Sequence, residues 1–152
     1  TAAQLFAADI GVRVIHLAVE GAPFDTHIEH RRQFANAWGD VLPGLVAFRD
    51  HLERIGIADR VLIATTSEFG RRLAEHDGGL DHGTASCSLV MQPTAHGVLG
   101  EHPSITRLDA DGNQLPTVAF SRYLATLAAW LGVDPSDVMR GRATPIRGLI
   151  DT

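Results

Sequence analysis

No lysine occurs in this chain; all thirteen basic residues are arginine. That absence excludes the lysine-bearing phosphate loop, and the glycines between Gly70 and Gly79 carry no other version of it. Cysteine occurs once, at Cys87, so no intrachain disulfide can form and the redox compartment is left open. No apolar run is long enough to span a bilayer. Positive charge is also in deficit: 13 bases against 18 acids leave a net charge of −5. A nucleic-acid surface normally shows the opposite balance. The chain opens at Thr1 without methionine and without a signal-like segment. Ala2 to Asp9 reads as the last turns of a helix stopped by Gly11, so a preceding piece is expected to be missing.

What is present fits one globular domain over residues 1–152, with 45% hydrophobic and 20% charged residues and enough length to bury a core. Val12 to Val19, Val61 to Thr66 and Ser86 to Met91 are apolar, partly β-branched runs, expected as strands buried on both faces. From Ile28 to Ile55 apolar residues recur at threes and fours (Phe34, Ala37, Trp38, Val41, Leu45, Phe48, Leu52), predicting a long helix kinked or divided by Gly39 and Pro43-Gly44. Gly21 to Thr26, Phe69 to Gly79 and Pro93 to Pro103 read as loops, and 105–118 as a hairpin turning at 109–113. Phe120 to Leu131 is amphipathic and ends at Gly132; Asp134-Pro135 starts another short helix. This order predicts an α/β fold with a mostly parallel sheet and flanking helices, its site at the carboxyl ends of the strands.

Three polar motifs fall near those ends: Phe24-Asp25-Thr26-His27, Ser67-Glu68-Phe69-Gly70-Arg71-Arg72, and Leu80-Asp81-His82-Gly83. Asp25 and His27, two apart, would point the same way from an extended segment, as metal ligands do. The competing reading makes Asp25-Thr26 the cap of the long helix. Glu68 closes a buried run, where a carboxylate needs a partner: a metal, or Arg71 or Arg72. Asp81-His82 suits metal ligation or a turn. His30 and His76 could support the site, and His16 reads as a core histidine. Convergence of three motifs favours a divalent metal, and arginines beside it suit an oxyanion. Two histidines and one carboxylate also match a facial iron triad. The 109–113 run fails as a calcium loop, because Gly112 is misplaced and Phe120 stands where Glu is required.

At these motifs the chain resembles an uncharacterised, exported, sulfatase-like branch of the alkaline phosphatase and sulfatase superfamily. The resemblance rests on 24–27, 67–71, 81–83 and the stretch Tyr123 to Gly132. It implies the C-terminal half of an alkaline-phosphatase-like domain and hydrolysis of small anionic phosphate or sulfate esters. Asp25, His27 and His82 would then hold one metal, Glu68 would mark the other half-site, and Asp81 would join the metal set. Arg71 and Ser67 would face the substrate. Zinc, manganese or calcium is the expected ion, and a periplasmic or extracellular location is implied. The first acidic ligand and the nucleophile of that superfamily come from a segment this chain lacks, so no nucleophile is assigned. The alternative is a non-catalytic binding or assembly domain that keeps the fold, including a homo-oligomer.

Overall fold

The computed structural model describes residues 1–19, 24–91, 97–141 and 143–150. Part of the expected Gly21–Thr26 and Pro93–Pro103 loops, and His96, lie outside the described residues. In chain order the elements are α1 (Ala2–Ala7), α2 (His30–Arg54), a 3-10 turn at Ala58–Arg60, β1 (Ile63–Ala64), β2 (Gly70–His76), β3 (Gly79–Gly83), β4 (Val90–Met91), α3 (Phe120–Trp130) and α4 (Pro135–Val138).

The expected mostly parallel sheet is not there. The described strands form two antiparallel pairs, β1 with β4 and β2 with β3. Two of the three apolar runs shrink to two-residue strands, Ile63–Ala64 and Val90–Met91. The third, residues 12–19, has no assigned secondary structure and makes no ladder among the described residues. An apolar, β-branched composition specifies an extended backbone, whereas pairing direction depends on which neighbour the chain brings alongside.

The hairpin β2–β3 was expected as a polar loop. Asp77 and Gly78 both adopt positive φ, 51° and 74°, as a two-residue hairpin turn requires. This Asp-Gly turn pairs His76 with Gly79 and Arg71 with His82, with a register shift between Arg71 and Glu75. The hairpin tip grips the segment before α2: His30 N–H donates to Gly78 O (2.8 Å) and Leu80 N–H to Thr26 O (3.4 Å). Here Gly79 has no substitute. A Cβ on it would lie 1.8 Å from the carbonyl oxygen of His27.

The long helix runs unbroken through Pro43, at the cost of one backbone hydrogen bond, and Gly56 (φ 72°) follows its end. Its N-cap is Glu29, left-handed at φ 45° and without a side-chain cap bond. Asp25 and Thr26 are therefore not the cap. The start of α2 instead holds an aromatic cluster in which Phe24 meets Phe34 and Trp38 edge-on, with centroids 5.9 and 5.3 Å away. Further along, Leu52 joins Ala3 and Val61 in a small core flanked by Phe6, Phe48, Ile57 and Ala58. Tyr123 of α3 donates its hydroxyl to Thr65 O (2.9 Å), tying α3 to the end of β1. The 109–113 turn forms, held by Asp109 Oδ1 accepting from the backbone of Asp111 and Asn113, but its arms contribute only the Leu108–Gln114 bridge. Asp134 caps α4 by accepting from Ser136 N–H.

Gly79→Ala should destabilise the domain by about 1–3 kcal/mol, the usual cost of forcing atoms into packed space. Thermal unfolding of this variant beside Gly112→Ala tests it, because a Cβ at Gly112 meets no atom within 4 Å and only its φ of 78° is strained. Equal melting shifts for the two would show that the His27 contact is not a tight constraint.

Candidate metal centre

Asp25, His27 and His82 converge. Asp25 Oδ1 lies 3.1 Å from His27 Nε2 and 3.1 Å from His82 Nε2, and the two nitrogens are 3.2 Å apart. An ion bound at about 2.0–2.1 Å in tetrahedral geometry separates its ligand atoms by about 3.3 Å, so this near-equilateral triangle matches one face of such a site. All three residues are exposed, with side-chain exposures of 48–55%. Three protein ligands with the remaining face open to solvent is the pattern of a catalytic ion, whereas a structural one is enclosed by four.

Each ligand is positioned by the hairpin. Arg71, only 15% exposed at its side chain, donates Nη1 to Leu80 O (2.7 Å) and Nη2 to Phe24 O (3.0 Å) and Asp25 Oδ1 (2.6 Å). One guanidinium thus binds β3 and the Asp25 segment together. On the neighbouring strand, His82 stacks on Phe69, with centroids 3.7 Å apart and planes at 12°. Arg71 in turn sits 5.1 Å from the Phe69 ring centre. The backbone carbonyl of His82 accepts from Arg72 Nε (3.1 Å), whose Nη1 reaches Asp111 O (3.0 Å).

The remaining candidate residues lie around this triangle rather than in it. Asp81 Oδ1 is 3.4 Å from His27 Nδ1, on the far side of the ring from the triangle. A carboxylate there favours the tautomer with the proton on Nδ1 and leaves Nε2 free to ligate. Glu68 is exposed and outside the converging group, and Ser67 Oγ donates to Phe69 O (2.9 Å) within its own loop. His30 supports the site from behind: its Nδ1 is hydrogen-bonded to Thr26 Oγ1, and Thr26 is fully buried. Burial, with Arg71 adding to it, holds the His30 imidazole below its ordinary value. His76 sits beside Asp77 in the turn, 3.7 Å away, and takes no part.

Reasoning from sequence missed Phe69 as the platform under His82 and Gly79 as the contact that seats His27. The Asp77-Gly78 dipeptide was the available signal for both, since it marks a hairpin that places 69–71 beside 80–82.

A family model described as "Protein of unknown function (DUF1501)" matches residues 2–141. The chain belongs to that family. No curated protein and no solved structure matches it. The resemblance to the alkaline phosphatase and sulfatase superfamily is thereby corrected: no family model of that kind matches, and the small antiparallel sheets are not its parallel sheet. Short motifs of Asp, His and Gly recur wherever a metal or a tight turn is needed, so they identify a chemistry before they identify a lineage.

Arg71 above all, with His82 and His27, outweighs desolvation and holds the Asp25 carboxyl below its ordinary 3.8. A carboxylate depressed on folding contributes stability above its unfolded value and loses it as the pH falls through the folded one. In metal-free protein, carboxyl NMR should place Asp25 below 3.8 and Arg71→Gln should move it upward. An unchanged Asp25 titration would show that the guanidinium contact does not persist in solution.

Proposed function

We propose that this chain carries a mononuclear divalent-metal site and hydrolyses small anionic esters of phosphate or sulfate with a water nucleophile. One observation carries the reading: two imidazole nitrogens and a carboxylate oxygen stand 3.1–3.2 Å apart on a solvent-open face. A divalent ion there supplies a Lewis acid and lowers the pKa of a water molecule. The donor set favours zinc or manganese over calcium, which takes about six to eight oxygen ligands.

The protein's own part is to hold the ligands. Asp25 is pinned by Arg71, His27 is oriented by Asp81, and His82 is clamped on Phe69. Three of the nearby hydroxyls are engaged away from the triangle. Thr26 is buried against His30, Ser67 bonds Phe69 O, and Thr84 bonds Gln114 O (2.6 Å). The ion adds positive charge beside Arg71 and Arg72, which favours an anion. Direct anion binding by Arg71 is not supported, because its guanidinium is committed to Asp25 and two carbonyls.

The test is elemental analysis and zinc or manganese titration of the parent, His82→Ala, Asp81→Asn and Glu68→Ala, followed by aryl phosphate and aryl sulfate assays. The parent should bind one ion and His82→Ala none. Asp81→Asn should bind about ten-fold or more weakly, the usual effect of losing a carboxylate behind a ligating histidine. Glu68→Ala should bind like the parent. No metal in the folded parent would overturn the site; bound metal without turnover of either ester would overturn the activity alone. Iron as the bound metal would favour a facial-triad oxygenase over a hydrolase, since the donor set is the same.

A further inference from the structure

The chain from Gly100 to Val118 folds back on itself and is tied at both ends. At one end Thr117 Oγ1 donates to Glu101 O (2.7 Å), and a Cβ on Gly100 would lie 3.3 Å from Val118 Cγ2. At the other end Leu108 bridges Gln114, and Asp109 closes the turn by accepting from the backbone of Asp111 and Asn113. Between these ties the two arms stand apart and leave a cavity of about 450 Å³. That size lies within the range of small-molecule pockets. Glu101, His102, Ser104 and Arg107 line it from one arm, Leu115 and Pro116 from the other.

The polar groups of the first arm are sorted by kind, with acceptors at 101 and 102 and donors at 104 and 107. Ser104 Oγ accepts from the backbone N–H of Thr106 (3.2 Å) and of Arg107 (2.8 Å), which fixes this stretch. Its O–H is left to donate, to Thr106 Oγ1 at 3.4 Å or to a ligand. His102 Nδ1 lies 2.7 Å from Pro103 O, and a carbonyl can only accept, so Nδ1 carries the proton and Nε2 of the neutral ring is an acceptor. Glu101 and Arg107 are exposed and line one cavity, yet neither charged group has a partner among the described residues, the other included.

We infer that this cavity binds a free α-amino acid with an apolar side chain. Its carboxylate is taken by the Arg107 guanidinium, which suits a planar carboxylate, and by the Ser104 O–H. Its ammonium is taken by the Glu101 carboxylate and His102 Nε2, and its side chain lies on Leu115 and Pro116. A simple anion would answer Arg107 and leave Glu101 facing a like charge, and a simple amine would do the reverse at Arg107. Only a ligand with both charges satisfies both groups, and each charge left unpaired on binding costs affinity. None of Asp25, His27 and His82 lines the cavity, so this site stands apart from the metal centre.

NMR titration of the full chain with L-leucine, using the protein as purified, tests the inference. Saturable shifts should centre on 101–107 and 115–117. Isocaproate, which is leucine without its ammonium, and isoamylamine, which is leucine without its carboxylate, should each bind at least about ten-fold more weakly. Leucine itself should bind Arg107→Gln and Glu101→Gln at least about ten-fold more weakly than the parent, the usual loss when one charge-assisted hydrogen bond is removed. Both positions are exposed, so both variants should keep the parent's circular dichroism, and the two analogues decide the matter on the parent alone should a variant fail to fold. The inference is overturned by no saturable shift up to the solubility of leucine, or by shifts centred on 25–27 and 82, which would put leucine on the metal centre. An analogue that binds as tightly as leucine, or a folded variant that binds it like the parent, overturns it equally.

Discussion

The Arg71 guanidinium joins two parts of this chain that are far apart in sequence. It takes the carbonyl of Leu80 from β3, and the carbonyl of Phe24 with the carboxylate of Asp25 from the segment before α2. Without it, a carboxylate and a row of carbonyls would face each other across the same gap. Because the side chain is largely shielded, water competes poorly for these bonds, and they are stronger for it. Gly79 acts on the same junction from the other side, allowing the β3 backbone to press against His27 where any Cβ would collide. The junction explains how a small domain with a modest core places Asp25, His27 and His82 within ligand spacing.

The arrangement separates support from chemistry. Behind the triangle are Arg71, the buried Thr26–His30 pair, the Phe69 ring and the Asp81 carboxylate, each holding one ligand or its backbone. In front of it the ligands are half exposed. A site that only stabilised the fold would gain by being closed, since burial strengthens metal–ligand bonds and excludes competing water. Openness on one side with rigid support on the other is what a reacting ligand requires. Membership of the DUF1501 family places the chain among proteins of unknown function, so the chemistry must be read from the site itself.

The apolar segment 12–19 poses the opposite problem. The metal triangle is exposed polar machinery with strong support, whereas this segment is exposed apolar surface with almost none. Leaving that apolar surface in water is costly.

Local rules accounted for what local interactions control. Helical periodicity located α2 and α3 to within about two residues, Gly56 and Gly132 marked their ends, and Asp134 with Pro135 marked α4. The residue types and the two-residue spacing of Asp25 and His27 were legible as ligand chemistry before any partner was known. What the chain order could not settle was which extended runs pair. That choice depends on contacts across dozens of residues, so two of the three strand-like runs became one short antiparallel pair, the third joined no ladder among the described residues, and the second pair formed where a polar loop was expected. The role of Arg71 was equally hidden, because a guanidinium near an acid reads alike whether it binds a substrate or a backbone. The sequence by itself determined the helices, the turn chemistry and the set of possible ligands, all properties of neighbouring residues. Only the tertiary structure decided that Asp25, His27 and His82 meet while Glu68 stands apart, because that meeting depends on a hairpin closing at Asp77-Gly78 and on the shared donors of one arginine.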